Sequence, residues 1–264
     1  MNPLEYWTPE GFEISSFKFK LDERKNKSFK TSGSDDTGLC VYTYNELGFR
    51  GDSIKKEGFK VMSFGCSNTE GVGVNNDETW PAQFCSHIEN SVNLNFGTGG
   101  RSNDFICRCL MSYYDLIKPD LVLIMYTFPH RREIYTADNG IEPYIPTRVW
   151  GKLLETEEGQ TIQSSLDILQ NDNSDFINWY KNHMLIKLFL ESKKCNWLWD
   201  GRHLLTDYKE FNRFTALDNF KMDLGSDDLH PGPVHHSHYS RVLFDYISMK
   251  FPTYLPGKIE NRLI

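Results

Sequence analysis

The chain has 264 residues, of which 39% are hydrophobic and 25% are charged. This length allows one substantial hydrophobic core and is short of what two full domains require. The formal net charge of -7 argues against a nucleic-acid partner, because a surface that follows phosphates needs clustered Lys and Arg. We expect a small, neutral or weakly polar substrate instead.

The N-terminal residues show no basic start followed by an apolar core, so we expect no signal peptide and a cytoplasmic location. The longest apolar stretch, residues 121–126, is far below the roughly 20 residues that cross a bilayer, so we expect no membrane span. Six cysteines lack CxxC spacing, which is typical of free thiols and gives no support for structural zinc.

Strand and helix patterns alternate along the chain after a polar, irregular stretch at residues 1–58, which we interpret as an arm packed on the core. Apolar runs at 59–64, 92–96, 120–127 and 196–199 are typical of buried parallel strands. Helical spacing covers residues 78–88, 104–117, 176–192 and 234–251. The pattern predicts an α/β fold over residues 59–251, a three-layer sandwich with a parallel sheet flanked by helices, followed by a tail at 252–264.

Residues 128–159 are rich in Pro, Gly, Tyr and Arg and have no clear period, which predicts a long loop over the sheet. Loops that follow the carboxyl ends of strands form the binding site in open α/β sheets. We therefore expect this loop to contribute to the site.

Ser67 lies in a glycine-flanked turn directly after the first predicted strand of the core. A serine hydroxyl needs such an exposed turn and a neighbouring base to attack an ester carbonyl. The turn is not a G-x-S-x-G elbow, because Thr69 stands where the second glycine would be. Ser67 could also simply cap a helix. A literal Gly-Asp-Ser at 51–53 follows no buried strand, so we interpret it as a plain turn.

Asp227 and His230 precede the last predicted helix, and Pro231 follows them. A histidine that deprotonates a serine needs a carboxylate to hold its tautomer and orientation. A three-residue spacing on a turn lets these two side chains face the same way, which Asp228 would do less readily. We therefore choose Asp227 as the partner of His230.

A metal site is the competing interpretation of this region, because four histidines cluster there with two aspartates. His235 and His238 would share a helix face, but His236 would point elsewhere, and no HExxH-like spacing is present. Solvated histidines at the start of a helix are the simpler interpretation, and we predict no metal.

The order of these pieces resembles the SGNH (GDSL-like) hydrolase superfamily over residues 45–250. The matching pieces are G-x-S-x-x-x-G after a strand, a glycine loop at 95–100, D-x-x-H-P before the last helix, and Asn45 to Arg50 as N-x-x-G-F-R. The resemblance implies that the amides of Ser67 and Gly100 bind the oxyanion and that no cofactor is needed. A nucleotide-binding G-x-G-x-x-G loop would instead require glycine at Ser102.

Two positions depart from the family pattern. Cys66 stands where the family has aspartate, and the third block, which should read G-x-N-D, reads Tyr-Thr-Phe-Pro-His-Arg-Arg at 126–132. The family asparagine is an oxyanion donor, and losing one such donor typically costs ~10²–10³ in rate. Thr127, His130 or Arg131 could stand in, and His130 and Arg131 could bind substrate.

The resemblance implies a serine esterase that forms an acyl-Ser67 intermediate, and the aromatic loop favours an O-acetyl group on carbohydrate as substrate. Two alternatives stay open. An O-acyltransferase would use the same serine, and a binding or structural module would keep the fold without activity. The sequence carries no information on oligomeric state.

Overall fold

The computed structural model describes residues 28–30, 40–136, 140–144, 156–201 and 222–256. The N-terminal residues on which the absence of a signal peptide was predicted lie outside the described residues. So do residues 137–139 and 145–155 of the predicted loop and the tail beyond residue 256. The division of the chain at residue 58 stays a prediction.

Strands and helices alternate through the described part of the chain. Its strands are β1 (Ser28–Lys30), β2 (Val41–Thr43), β3 (Arg50–Gly51), β4 (Phe59–Phe64), β5 (Ser91–Asn95), β6 (Leu121–Met125), β7 (Arg132–Thr136), β8 (Gly140–Tyr144) and β9 (Asn196–Asp200). Its α-helices are α1 (Ser67–Glu70), α2 (Trp80–Ser86), α3 (Asn103–Ile117), α4 (Glu157–Leu169), α5 (Asp172–Ser192) and α6 (Pro233–Lys250). None of these helices is long and apolar enough to cross a membrane.

A five-stranded sheet in the order β3-β5-β4-β6-β9 forms the centre of the molecule. β4 pairs in parallel with β5 on one side and β6 on the other, and β6 pairs in parallel with β9. The predicted α/β fold with a parallel sheet flanked by helices is confirmed. The four predicted strands of the core lie within two residues of the observed ones.

Different helices pack against the two faces of the sheet. Met62, Leu94 and Val122 face a core that includes side chains of α3 and α5. Val61 and Leu123 face a second core with side chains of α2 and α6. Because successive strand residues point to opposite faces, each short apolar run fills both cores at once. The result is three layers, with helices on both faces of the sheet.

The edge strand β3 corrects the interpretation of residues 50–53 as a plain turn. Arg50 and Gly51 pair antiparallel with Asn95 and Leu94 of β5, so this part of the predicted arm extends the central sheet. Two residues are too few for an apolar run, so the pattern of buried strands could not reveal β3.

Residues 128–159 also differ from the predicted loop, because they contain the antiparallel pair β7–β8 and the start of α4. Glu133 of β7 accepts two hydrogen bonds from the buried Arg108 of α3, at 3.0 and 2.6 Å. Asn139-Gly140 is a typical hairpin signal that could have indicated the pair. The polar content of the strands obscured it.

Replacing Leu94 by Ala should lower the free energy of unfolding by roughly 2–5 kcal/mol, because Leu94 is fully buried in the centre of the sheet and truncation leaves a cavity. Leu116→Ala is the matched control, since Leu116 on α3 is 55% exposed. Urea unfolding measures both variants. If both variants lost the same free energy of unfolding, the described core would be contradicted.

Candidate active site

Ser67 begins a single helical turn at the carboxyl end of β4. The carbonyl of Cys66 accepts hydrogen bonds from the amides of Thr69 and Glu70 at 3.0 and 2.9 Å, which closes the turn. Ser67 itself is half-buried, whereas the residues on either side of the turn are buried. The turn therefore holds the Ser67 hydroxyl at the edge of the sheet where the loops meet.

Asp227 and His230 form a hydrogen-bonded pair in the turn before α6. Asp227 Oδ2 lies 2.5 Å from His230 Nδ1, and Asp227 Oδ1 accepts hydrogen bonds from the backbone amides of His230 and Leu229 at 3.0 and 3.2 Å. The carboxylate thus fixes both the imidazole and the backbone that carries it. In the neutral imidazole, a carboxylate partner at Nδ1 favours the tautomer with its proton on Nδ1, which leaves Nε2 as an acceptor.

The pKa of Asp227 is lowered. Partial burial alone would raise it, but the hydrogen bonds from the backbone and ring of His230 and from the Leu229 amide outweigh that effect. Hydrogen bonds to the charged form of a carboxyl favour that form. Asp227 is therefore ionised at neutral pH and can stabilise a protonated imidazole.

The segment that follows Ser67 touches the loop that carries this pair. The carbonyl of Gly73 accepts a hydrogen bond from the Ser226 amide at 2.8 Å. Gly73 has φ +88°, and a Cβ there would lie 2.8 Å from Asp227 Oδ1. Glycine is therefore required at position 73 both by the backbone conformation and by the proximity of the carboxylate.

The glycine loop after β5 lies against the Ser67 turn. A Cβ on Gly97 would come within 2.2 Å of the Glu70 amide nitrogen, so only glycine allows this approach. The Gly99 amide donates to Glu70 Oε2 at 2.6 Å, and a Cβ built on Gly99 would lie 3.7 Å from the Ser67 Cβ. The loop thus passes directly beside the serine.

The amides of Ser67 and Gly100 donate no hydrogen bond to any residue that the structure describes. Gly100 is half-exposed, like Ser67. An oxyanion site requires donors that are held in place and not consumed by the fold. Both amides meet the second condition, because the described part of the fold does not use them as donors.

The loop after β6 holds the three residues that were predicted to replace the family asparagine. Thr127 is fully buried, and its hydroxyl accepts a hydrogen bond from Arg131 NH1 at 3.0 Å. The guanidinium of Arg131 lies 4.9 Å from the ring centre of Phe128, and His130 stacks on the same ring at 5.3 Å. Burial lowers the pKa of His130, with Arg131 nearby acting in the same direction.

An asparagine does reach this loop, but it comes from α3. Asn103 Oδ1 accepts from the Thr127 amide at 3.0 Å, and Asn103 Nδ2 donates to the Thr127 carbonyl at 3.1 Å. Both ends of the amide are thereby used to anchor the loop. Asn103 follows the glycine loop in the sequence and is the first residue of α3. Nothing in the sequence indicated its contact with Thr127.

The Ser67 hydroxyl and His230 are not hydrogen-bonded. Within the described residues, the Ser67 Oγ contacts Cys66 Sγ at 4.0 Å, and no hydrogen bond joins it to the imidazole. The structure places the two residues on touching segments without completing a serine-histidine contact. Hydrogen bonds between catalytic groups often tighten only when substrate binds.

Two of the histidines that suggested a metal site, His235 and His236, bind backbone amides instead. His236 Nδ1 accepts from the Trp80 amide at 3.0 Å, and His235 Nδ1 accepts from the Met222 amide at 3.4 Å. Among residues of the described ranges, no cluster of three or more His, Cys, Asp or Glu side chains is arranged to hold a metal ion. Both histidines are buried, which differs from the expected solvated histidines.

Sequence reasoning assigned no role to three buried polar residues that hold the site loops. Asn95 Nδ2 donates to the Thr69 carbonyl at 2.7 Å, and Asn95 Oδ1 accepts from the Gly97 amide at 2.9 Å. Glu70 holds Gly99, and Arg50 binds the segment after Ser67. Arg50 was noted only as part of N-x-x-G-F-R, and that motif was the available signal.

Comparison with known proteins gives only distant matches. No family model matches the chain, and no curated protein matches it. Among solved structures, a member of the lipolytic protein G-D-S-L family from Veillonella parvula is 12% identical, with a TM-score of 0.34 over 72% of this chain and 98% of its own. A carbohydrate acetylesterase family member from Sinorhizobium meliloti is 12% identical, with a TM-score of 0.33 over 72% and 97%. A GDSL-like lipase from Bacteroides thetaiotaomicron is 14% identical, with a TM-score of 0.32 over 72% and 88%.

Replacing Asp227 by Asn should remove a contribution to stability that depends on pH. Because the folded-state pKa of Asp227 is lowered, its carboxylate stabilises the fold above the ordinary value of 3.8, and this contribution is lost as the pH falls through the lowered value. The difference in unfolding free energy between wild type and Asp227→Asn should therefore shrink below about pH 4. Asp228→Asn, at an exposed position in the same turn, is the control. A difference that stays constant down to about pH 2 would contradict the assignment.

Proposed function

We propose that the chain is a serine esterase of the SGNH (GDSL-like) type, in which Ser67 is the nucleophile, His230 the general base and Asp227 the residue that orients it. The observation that carries the proposal is the 2.5 Å contact between Asp227 and His230, on a loop that touches the segment following Ser67. A carboxylate, an imidazole and a serine on adjoining loops are the groups that acyl transfer requires.

In the first half of the reaction, His230 Nε2 takes the proton of the Ser67 hydroxyl as Oγ attacks the ester carbonyl. The developing oxyanion accepts hydrogen bonds from the amides of Ser67 and Gly100. The C–O bond to the alcohol then breaks, and the imidazolium returns its proton to the leaving oxygen. The product is an acyl-Ser67 ester and a free alcohol.

In the second half, His230 takes a proton from a water molecule, which attacks the acyl carbonyl. The bond between the acyl carbon and Ser67 Oγ breaks, Oγ recovers the proton from the imidazolium, and the carboxylic acid leaves. Asp227 stabilises the imidazolium in both halves, because its lowered pKa keeps it ionised. Since no hydrogen bond joins Ser67 to His230 in this structure, substrate binding must bring the hydroxyl to Nε2.

Thr127 is proposed as a third oxyanion donor in place of the missing asparagine. Its hydroxyl accepts a hydrogen bond from Arg131, which leaves its own proton to be donated. Thr127 follows β6, and β6 is the neighbour of the strand that ends before Ser67. The two loops therefore leave the sheet at the same edge.

An O-acetyl group on carbohydrate is the proposed substrate. Phe128 is 37% exposed and stacks with His130 beside the site loop, which gives a flat surface of the kind that packs on a sugar ring. Arg131, whose guanidinium lies 4.9 Å from the centre of the Phe128 ring, could bind a hydroxyl or anionic group of the sugar. The acyl group would then point to Ser67 and the alcohol to the aromatic pair.

Two competing functions make different products. An O-acyltransferase would pass the acyl group to an added sugar hydroxyl and form acylated sugar instead of free acid. An inactive binding module would neither release acid nor react with a phosphonate probe. Product analysis with and without an added acceptor distinguishes the esterase, the acyltransferase and the binding module.

Ser67→Ala and His230→Ala should each lower kcat/KM for a short-chain aryl acetate by about 10⁴- to 10⁶-fold, because Ser67 forms the acyl intermediate and His230 carries every proton that is transferred. A fluorophosphonate probe should label Ser67 in the wild type and not in Ser67→Ala. Ser53→Ala is the matched control, since Ser53 lies in the literal Gly-Asp-Ser and its hydroxyl bonds to Glu46 and the Lys55 amide, both outside the proposed site. Equal activity in all variants, or equal labelling, would refute the proposal.

Thr127→Val should lower kcat by about 10²- to 10³-fold, with little change in KM, because the hydroxyl would act only on the transition state. Thr127→Ser keeps the hydroxyl and should retain most of the activity. A Thr127→Val enzyme with unchanged kcat would assign Thr127 to folding alone.

A further inference from the structure

Arg50 directs its whole guanidinium at the segment that follows the Ser67 turn. Its side chain is 1% exposed. NH1 donates to the carbonyls of Glu70 and Gly71 at 2.9 and 2.6 Å, and NH2 donates to the Val74 carbonyl at 3.0 Å. Nε donates to Asn76 Oδ1 at 2.8 Å. All four hydrogen bonds thus fall within residues 70–76.

These carbonyls need an external donor because α1 is a single turn. The last carbonyls of a helix have no partner within the helix, and burial makes an unpaired carbonyl costly. A cation at this end of a helical turn also matches the direction of the backbone dipoles. Arg50 therefore defines the path of residues 70–74, which the short turn cannot stabilise by itself.

The environment of Arg50 offsets the cost of burying its charge. Burial lowers the pKa of Arg50, while Tyr42 and Glu70 act in the opposite direction. The guanidinium lies 4.2 Å from the ring centre of Tyr42, and the Tyr42 hydroxyl accepts the Gly73 amide at 2.6 Å. Arg50 and Tyr42 thus hold the same segment from two sides.

Residues 70–74 contact both other parts of the candidate site. At one end, Glu70 Oε2 holds the Gly99 amide, next to the proposed oxyanion donor Gly100. At the other end, the Gly73 carbonyl holds the Ser226 amide, next to Asp227. A shift of this segment would therefore move the oxyanion loop and the Asp227–His230 pair relative to Ser67.

We infer that Arg50 is a positioning residue of the active site, which sets the spacing between Ser67, the Gly100 amide and His230 by fixing residues 70–74. This inference rests on the proposed esterase function. It goes beyond that function by making a residue of the edge strand β3, 17 positions before the nucleophile, necessary for the alignment of the catalytic groups. Arg50 itself acts only through the segment that it holds.

The test compares Arg50→Lys and Arg50→Met with Arg108→Met. Arg108 is the matched control because it is also a buried arginine, 5% exposed, but it is paired with Glu133 away from residues 70–76. Two readouts are measured on folded protein: kcat and KM for an aryl acetate, and hydrogen exchange of the amides in residues 71–76 and 225–230.

Arg50→Met should lower kcat by about 10²-fold with little change in KM, since a displacement of about 1 Å between catalytic groups has an effect of this size. Arg50→Lys, which keeps the charge and some of the donors, should recover part of the loss. Exchange should become faster in both segments in the Arg50 variants. Arg108→Met should keep its kcat and leave exchange in both segments unchanged.

An Arg50→Met enzyme with unchanged kcat, or with unchanged exchange at residues 225–230, would overturn the inference. If Arg50→Met does not fold, the same two readouts on Arg50→Lys decide the matter. A wild type that neither hydrolyses the ester nor reacts with a phosphonate would refute the proposed function separately. The exchange measurement would then still show whether Arg50 links the two segments.

Discussion

The parallel pairing of β4 with β5 on one side and β6 on the other is the constraint on which the site depends. The register places Ser63 opposite Asn95 and Phe64 opposite Ile124, so the three strands end at nearly the same height. Parallel strands deliver their following loops to one edge of the sheet. The loops that carry Ser67, Gly100 and Thr127 are distant in sequence, and this pairing brings all three to the same edge of the sheet.

Buried polar side chains then set the fine geometry of the loops. Asn95 joins the glycine loop to the Ser67 turn, Asn103 anchors the loop after β6, and Glu70 holds Gly99. A buried polar group is costly unless it is hydrogen-bonded, so each of these side chains holds its backbone partners in one arrangement. The hydrogen bonds that let the fold tolerate these polar groups in its interior are the same ones that hold the site loops.

The sequence predicted the strands and helices of the core because their apolar runs and helical spacing are local properties. Ser67 after β4 and Asp227 with His230 before α6 were also predicted from local sequence, since each lies in a short motif. The hairpin β7–β8 was missed because the polar residues of its strands obscured the local Asn139-Gly140 signal. Its contact between Glu133 and Arg108, 25 residues apart, is not displayed by any local pattern. The short strand β3 was missed because two residues carry no period.

The sequence by itself determined the type of fold and indicated the residues that we propose for acyl transfer, because strand periodicity and turn motifs depend on neighbouring residues. Only the tertiary structure decided which loops touch, which amides of the site loops donate no hydrogen bond to a described residue, and what holds the segment after Ser67. Arg50 shows the reason most clearly. Its four hydrogen bonds reach 20 to 26 residues along the chain, and their geometry exists only once β3 has joined the edge of the sheet.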